Sequence, residues 1–105
     1  MSWTYLALAG LMEIGWPVGL KMAQMQGQRV VGVIVALAFM TVSGFLLWLA
    51  QKDIPIGTSY AVWTGIGAVG TFLFGILVYG DTAGATRFVG VALILLCVLT
   101  MKLAH

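Results

Sequence analysis

The chain has 105 residues, of which 62% are hydrophobic and only 8% charged, with a formal net charge of +2. A soluble domain carries about a quarter charged residues, so this chain cannot cover its own surface in water and lipid must be the solvent for most of it. Its few cations stand singly at the ends of apolar segments and form no basic patch, which excludes a nucleic-acid partner despite a pI near 9.0.

Apolar runs of ~20 residues, the length that crosses a bilayer core, occur at 2–21, 30–50, 56–79 and 87–103. Between them, 22–29, 51–55 and 80–86 hold most polar residues and the Gly, Pro and Asp turn signals. The runs are continuous rather than alternating, and an open sheet cannot sit in lipid, so the spans are helices. The expected fold is an all-α membrane protein, a single domain over 1–105 with four transmembrane helices and short loops. The first run lacks a basic leader and continues past Glu13. It reads as a retained span rather than a signal peptide.

That first span carries the residue with the strongest claim to function. Glu13 lies ~16–18 Å from the start of its helix at 1.5 Å per residue, where a carboxylate costs on the order of 3 kcal/mol to insert. At such depth it is a functional-site candidate, against the alternative of a protonated carboxyl bonded to a neighbouring helix. Its ionised form would be the sole anion at that depth able to hold a cation. One group that takes either protons or a cation is the minimum machinery of an antiporter. Trp16 shares its helix face, and aromatic rings beside a carboxylate make a cation site. Pro17 has no amide proton and is expected to bend the helix next to Glu13.

In the second span, Ser43 either donates a hydrogen bond to Glu13 or bonds its own helix backbone. The third span opens with Tyr60 and Trp63, a second aromatic pair on one face. Trp3, Tyr5, Trp48 and Tyr79 stand at span ends and fit an interfacial belt. Gly65-Ile66-Gly67-Ala68-Val69-Gly70 matches the dinucleotide fingerprint, but it lies inside an apolar span with no preceding strand, so that reading is rejected. Gly65, Gly67 and Gly70 instead weaken the helix, as a bend that lets access alternate, or admit a neighbouring backbone. Asp53 and Asp81 read as solvated loop residues. Cys97 lies in an apolar run and the methionines are filler. His105 is terminal, and nothing forms a metal cluster, a cofactor motif or a nucleophile–base pair, so no enzyme is expected.

With four spans, Lys52 and Lys102 fall on one side of the membrane and Lys21, Arg29 and Arg87 on the other. That near balance does not fix an orientation. It leaves open a single orientation or insertion both ways, with two copies pairing upside down. Four short spans also make a poor conduit alone, which points to an oligomer.

The stretch from Pro55 through Tyr60, Trp63 and Gly65 to Gly70 resembles the third-helix signature of the small multidrug resistance family. Glu13, Trp16 and Gly19-Leu20-Lys21 resemble the first-helix signature of its guanidinium exporter branch. The resemblance covers essentially the whole chain. It implies an antiparallel dual-topology homodimer in the bacterial plasma (inner) membrane, with two copies of Glu13 facing one cavity where protons and substrate compete. It further implies that Trp16 and Ser43 orient the carboxylate and that Tyr60 and Trp63 line the cavity. Guanidinium is planar and rich in donors, and it pairs with carboxylates through forked hydrogen bonds. Pro17 departs from the branch pattern and bears on substrate range. Cys97 and Thr100, where the family often has glycine, bear on dimer packing or on a heterodimer with a paralogue. The alternatives are efflux of quaternary ammonium and other drug cations, and a non-transporting membrane subunit of a heterodimer.

Overall fold

The computed structural model describes residues 1–104; His105 lies outside them. It contains five helices: α1 (Ser2–Glu13), α2 (Gly15–Ala23), α3 (Arg29–Ala50), α4 (Ile56–Tyr79) and α5 (Ala85–Ala104). Taken together, α1 and α2 make one span, so four helical segments, Ser2–Ala23, Arg29–Ala50, Ile56–Tyr79 and Ala85–Ala104, are long and apolar enough to cross a membrane. Among the described residues there is no strand. The all-α, four-span architecture expected from the apolar runs is the one observed.

The first span is two helices because its hydrogen-bond ladder fails at Ile14. Pro17 has no N–H to give to the Glu13 carbonyl, and its ring crowds that oxygen. One residue on, the Val18 amide reaches the Ile14 carbonyl only at 3.5 Å. Ile14 itself stays in the right-handed helical region, at φ −62° and ψ −34°. The two halves then find different neighbours. α1 lies between α3 and α4, whereas α2 packs against α3 and barely touches α4.

Small residues hold α2 to α3. Gly19 and Ala23, one turn apart on α2, meet Gly32 and Ala36 on α3. A Cβ added to Gly19 would fall 2.5 Å from the Ala36 backbone nitrogen and 2.8 Å from the Gly32 carbonyl oxygen. This is a small-xxx-small seam on both helices, the device that lets backbones approach within a bilayer. Further up α2, the space over Gly15 is filled by the ring of Phe39.

One end of the molecule is tightly packed. Leu6, Ala50, Ile54 and Val62 are fully or almost fully buried, with Trp3, Tyr5, Trp63, Ile66 and Val98 packed around them. They bring together the start of α1, the end of α3, the start of α4 and the end of α5. α5 otherwise stands apart: it packs on α4 alone and has no buried residue.

At the opposite end, α4 stops at Gly80, which adopts the left-handed conformation (φ +69°) that glycine takes at little cost. The amides of Gly80 and Asp81 both reach back to the Gly75 carbonyl. This turn folds the Asp81 carboxylate back along α4, so that its oxygen occupies the space a Cβ on Gly75 would take.

Candidate functional site

Glu13 is the last residue of α1, at the point where the first span divides. It is half-buried, and the indole N–H of Trp16 donates to its Oε1. The α-helical offset of three residues would by itself place the two side chains as neighbours, and the continuation of αR geometry through Ile14 preserves that offset. On the other side, the Glu13 side chain rests where Gly67 of α4 has no Cβ. Ile14 fills the equivalent space over Gly70, and Val98 of α5 that over Gly65. Each glycine of the Gly65–Gly70 stretch therefore admits a side chain from a neighbouring helix. α4 runs without interruption from Ile56 to Tyr79, so close approach rather than a break in the helix is what these glycines provide in this conformation.

An open cavity of about 440 Å³ begins at Glu13. Pro17 of α2 forms one wall, Thr64, Gly67 and Thr71 of α4 the other, and Asp81 borders it as well. Thr64 and Thr71 stand two turns apart on one face and give that wall hydroxyl groups. A second hollow of about 170 Å³ continues from Pro17 and Thr71 to Lys21, Tyr79 and Asp81. The cleft exists because α2 diverges from α4 beyond Ile14.

Ser43 and Trp63 form a separate network. The Ser43 hydroxyl donates to the Ala9 carbonyl of α1 at 2.7 Å and accepts from the indole N–H of Trp63 at 2.8 Å. A hydroxyl has one proton, so Ser43 has none left for Glu13. Its acceptor is neither the carboxylate nor its own helix backbone, the two partners considered from the sequence. Ala9 and Ser43 are both completely buried, and the small Ala9 side chain lets α3 come close enough to reach the carbonyl. Ala9 is one turn before Glu13, and its carbonyl is the helical acceptor for the Glu13 amide. Ser43 and Trp63 thus fasten the turn that carries Glu13 and do not touch the carboxylate.

The Tyr60 ring meets that of Trp63 at a tilt of 51° with centroids 5.4 Å apart, but Tyr60 is 58% exposed. It borders a groove between α4 and α5 that includes Thr64, Ile94 and Cys97, not the cavity at Glu13. Of the residues named from sequence, Trp16, Pro17 and Gly67 gather at Glu13, while Ser43, Trp63 and Tyr60 do not. Asp81, read from sequence as a loop residue, borders the cavity. Among the described residues, no group of three or more His, Cys, Asp or Glu side chains could hold a metal ion.

A four-span helical bundle with a half-buried carboxylate part-way through its first span, opening on a cleft, is the build of a multi-pass membrane protein with a candidate functional site inside the membrane. The family model "Small Multidrug Resistance protein" matches residues 1–94. Proteins named guanidinium exporter align over almost their whole length. That of Proteus vulgaris is 46% identical over 104 residues, covering 99% of each chain. That of Yersinia pseudotuberculosis is 45% identical over 99% of each chain. That of Escherichia coli K12 is 43% identical, over 99% of this chain and 98% of its own. The chain belongs to the small multidrug resistance family, whose members are transporters and not enzymes.

Proposed function

We propose that the protein is a proton-coupled antiporter that exports guanidinium or small substituted guanidinium cations across the bacterial inner membrane. Protons and substrate compete for Glu13. The observation that carries this reading is the position of the Glu13 carboxylate. It stands at the inner end of an open cleft, it is held by Trp16, and no cation among the described residues pairs with it.

The chemistry follows from occupancy. An ionised carboxylate has about four lone-pair sites, and the Trp16 indole uses one of them. A guanidinium can approach the remainder through a forked pair of N–H donors. A protonated Glu13 offers no charge to balance the cation, so proton and cation exclude one another. The relatives' printed names support guanidinium as the cation. Exchange across the membrane requires a partner conformation in which Glu13 faces the other side. An antiparallel pair of copies supplies it by exchanging roles, and the unburied α5 leaves an apolar helix free to meet the second copy.

The test is reconstitution in liposomes with a pH-sensitive dye inside. Guanidinium, methylguanidinium and guanylurea are expected to drive proton movement, tetraethylammonium to drive little, and Glu13→Gln to abolish it. Equal fluxes with tetraethylammonium would shift the assignment to quaternary ammonium efflux. Undiminished flux in Glu13→Gln would remove the carboxylate from the mechanism.

A further inference from the structure

Asp81 is the second carboxylate of the cleft. Whereas Glu13 marks its inner end, Asp81 borders both the 440 Å³ cavity and the adjoining 170 Å³ hollow. Its placement is built by the fold. The left-handed Gly80 and the paired amide bonds to the Gly75 carbonyl turn the chain back, and the missing Cβ of Gly75 leaves room for the carboxylate against α4. Any side chain at position 75 would push it away.

Among the described residues no basic side chain forms an ion pair with it, although Lys21 and Arg87 border the same hollows. Arg87, which shares a third hollow with Asp81, turns its guanidinium to the Thr82 carbonyl at 3.2 Å. Lys21, at the edge of the 170 Å³ hollow, holds its ammonium 5.8 Å from the centroid of the Tyr79 ring. Among the described residues Asp81 has no ion pair. The outer cleft therefore holds an unpaired anion, an aromatic face, and a tethered ammonium that already rests on that face. Those are the groups that bind a small organic cation, and the Lys21 ammonium already lies over the ring among them.

On this basis, and resting on the antiport reading above, we propose that Asp81 is the first-contact residue for the substrate cation. Its carboxylate and the Tyr79 ring receive the cation at the cleft mouth, Lys21 competes for the same place, and Thr71 lines the way to Glu13. An exposed carboxylate at the rim of a concave site raises the local concentration of cations and speeds their capture. It does not enter the proton exchange itself.

The inference predicts opposite shifts from two single-charge changes. In proteoliposomes, the initial rate of guanidinium-driven proton movement is followed against guanidinium concentration for the wild type, Asp81→Asn, Asp81→Glu and Lys21→Gln. Asp81→Asn is expected to raise KM about tenfold at low salt with the maximal rate retained, within the range that electrostatic capture commands. Asp81→Glu is expected to restore KM, and Lys21→Gln to lower it. The gap between wild type and Asp81→Asn should close at ~1 M sodium chloride, where the Debye length is about 3 Å. A wild-type KM in Asp81→Asn at low salt overturns the inference, as does a loss confined to the maximal rate. Should Asp81→Asn fail to fold, Lys21→Gln decides, and an unchanged KM there overturns it. A wild type that moves no protons with any guanidine overturns the antiport reading, and this inference with it. Active wild type with insensitive variants overturns this inference alone.

Discussion

The two ends of the molecule are built on opposite plans. At the Leu6 end, all four spans converge, and Leu6, Ala50, Ile54 and Val62 are fully or almost fully buried. At the Asp81 end, α2 and α4 stand apart and the space between them leads to Glu13. The same first span serves both ends: as α1 it packs between α3 and α4, and as α2 it leaves α4. The difference comes from one residue type. Pro17 removes the hydrogen bond to the Glu13 carbonyl, so the chain can change neighbours at the level of the carboxylate.

That contrast is open to attack from both ends. The largest effect is expected at the closed end. Leu6→Ala removes a fully buried side chain from the packed cluster, and should cost about 2–5 kcal/mol, read as a lower unfolding midpoint in detergent. Protein that remains folded should keep its KM for guanidinium, because the open cleft is untouched. At the boundary, Gly67→Val puts a side chain where Glu13 now lies. Overpacking costs about 1–3 kcal/mol, and a decade of rate corresponds to about 1.4 kcal/mol. Transport should fall about ten- to a hundredfold while helix content measured by circular dichroism is unchanged.

Pro17→Ala returns an amide proton to the Glu13 carbonyl. The expected result is a first span that is continuous through Ile14, more stable to heat, and several-fold slower in transport, on the order of half to one decade. A variant that transports at the wild-type rate would mean that the break does not create the open end. The smallest effect belongs to Gly44→Ala on α3, where a new Cβ meets nothing within 4 Å. It should leave transport unchanged and add about 0.5–1 kcal/mol of helix stability, measured by the same unfolding assay.

Much of this could be read from the sequence, because the bilayer imposes strict rules. Four apolar runs have one solution as spans, and a lone carboxylate inside one of them stands out by its cost. The break beside Glu13 was visible in Pro17, since the loss of a donor is a local property. The partner of Ser43 was not visible: its acceptor is a backbone carbonyl on another helix, and every residue type supplies one of those. Tyr60 shares a helix face with Trp63, but which neighbour that face meets is settled by the packing of α5. The α2–α3 seam did carry a signal, small residues four apart at Gly19 and Ala23 and again at Gly32 and Ala36. Its meaning depended on knowing that the two segments pair. Asp81 looked like an ordinary turn residue because its position depends on Gly75 and Gly80 together, a backbone reversal that no side-chain pattern announces.

The α2–α3 seam also limits the mechanics of the protein. Backbones that meet with no intervening side chains cannot slide or rotate past each other without collision, so α2 and α3 move as one plate. α3 is tied to α1 as well, where the Ser43 hydroxyl donates to the Ala9 carbonyl, so α1 joins the same plate. Shutting the cleft is then an approach of α4 to a stiff panel, with few degrees of freedom. A crosslink across the α2–α3 seam should leave that approach intact, and one that holds α2 away from α4 should stop it.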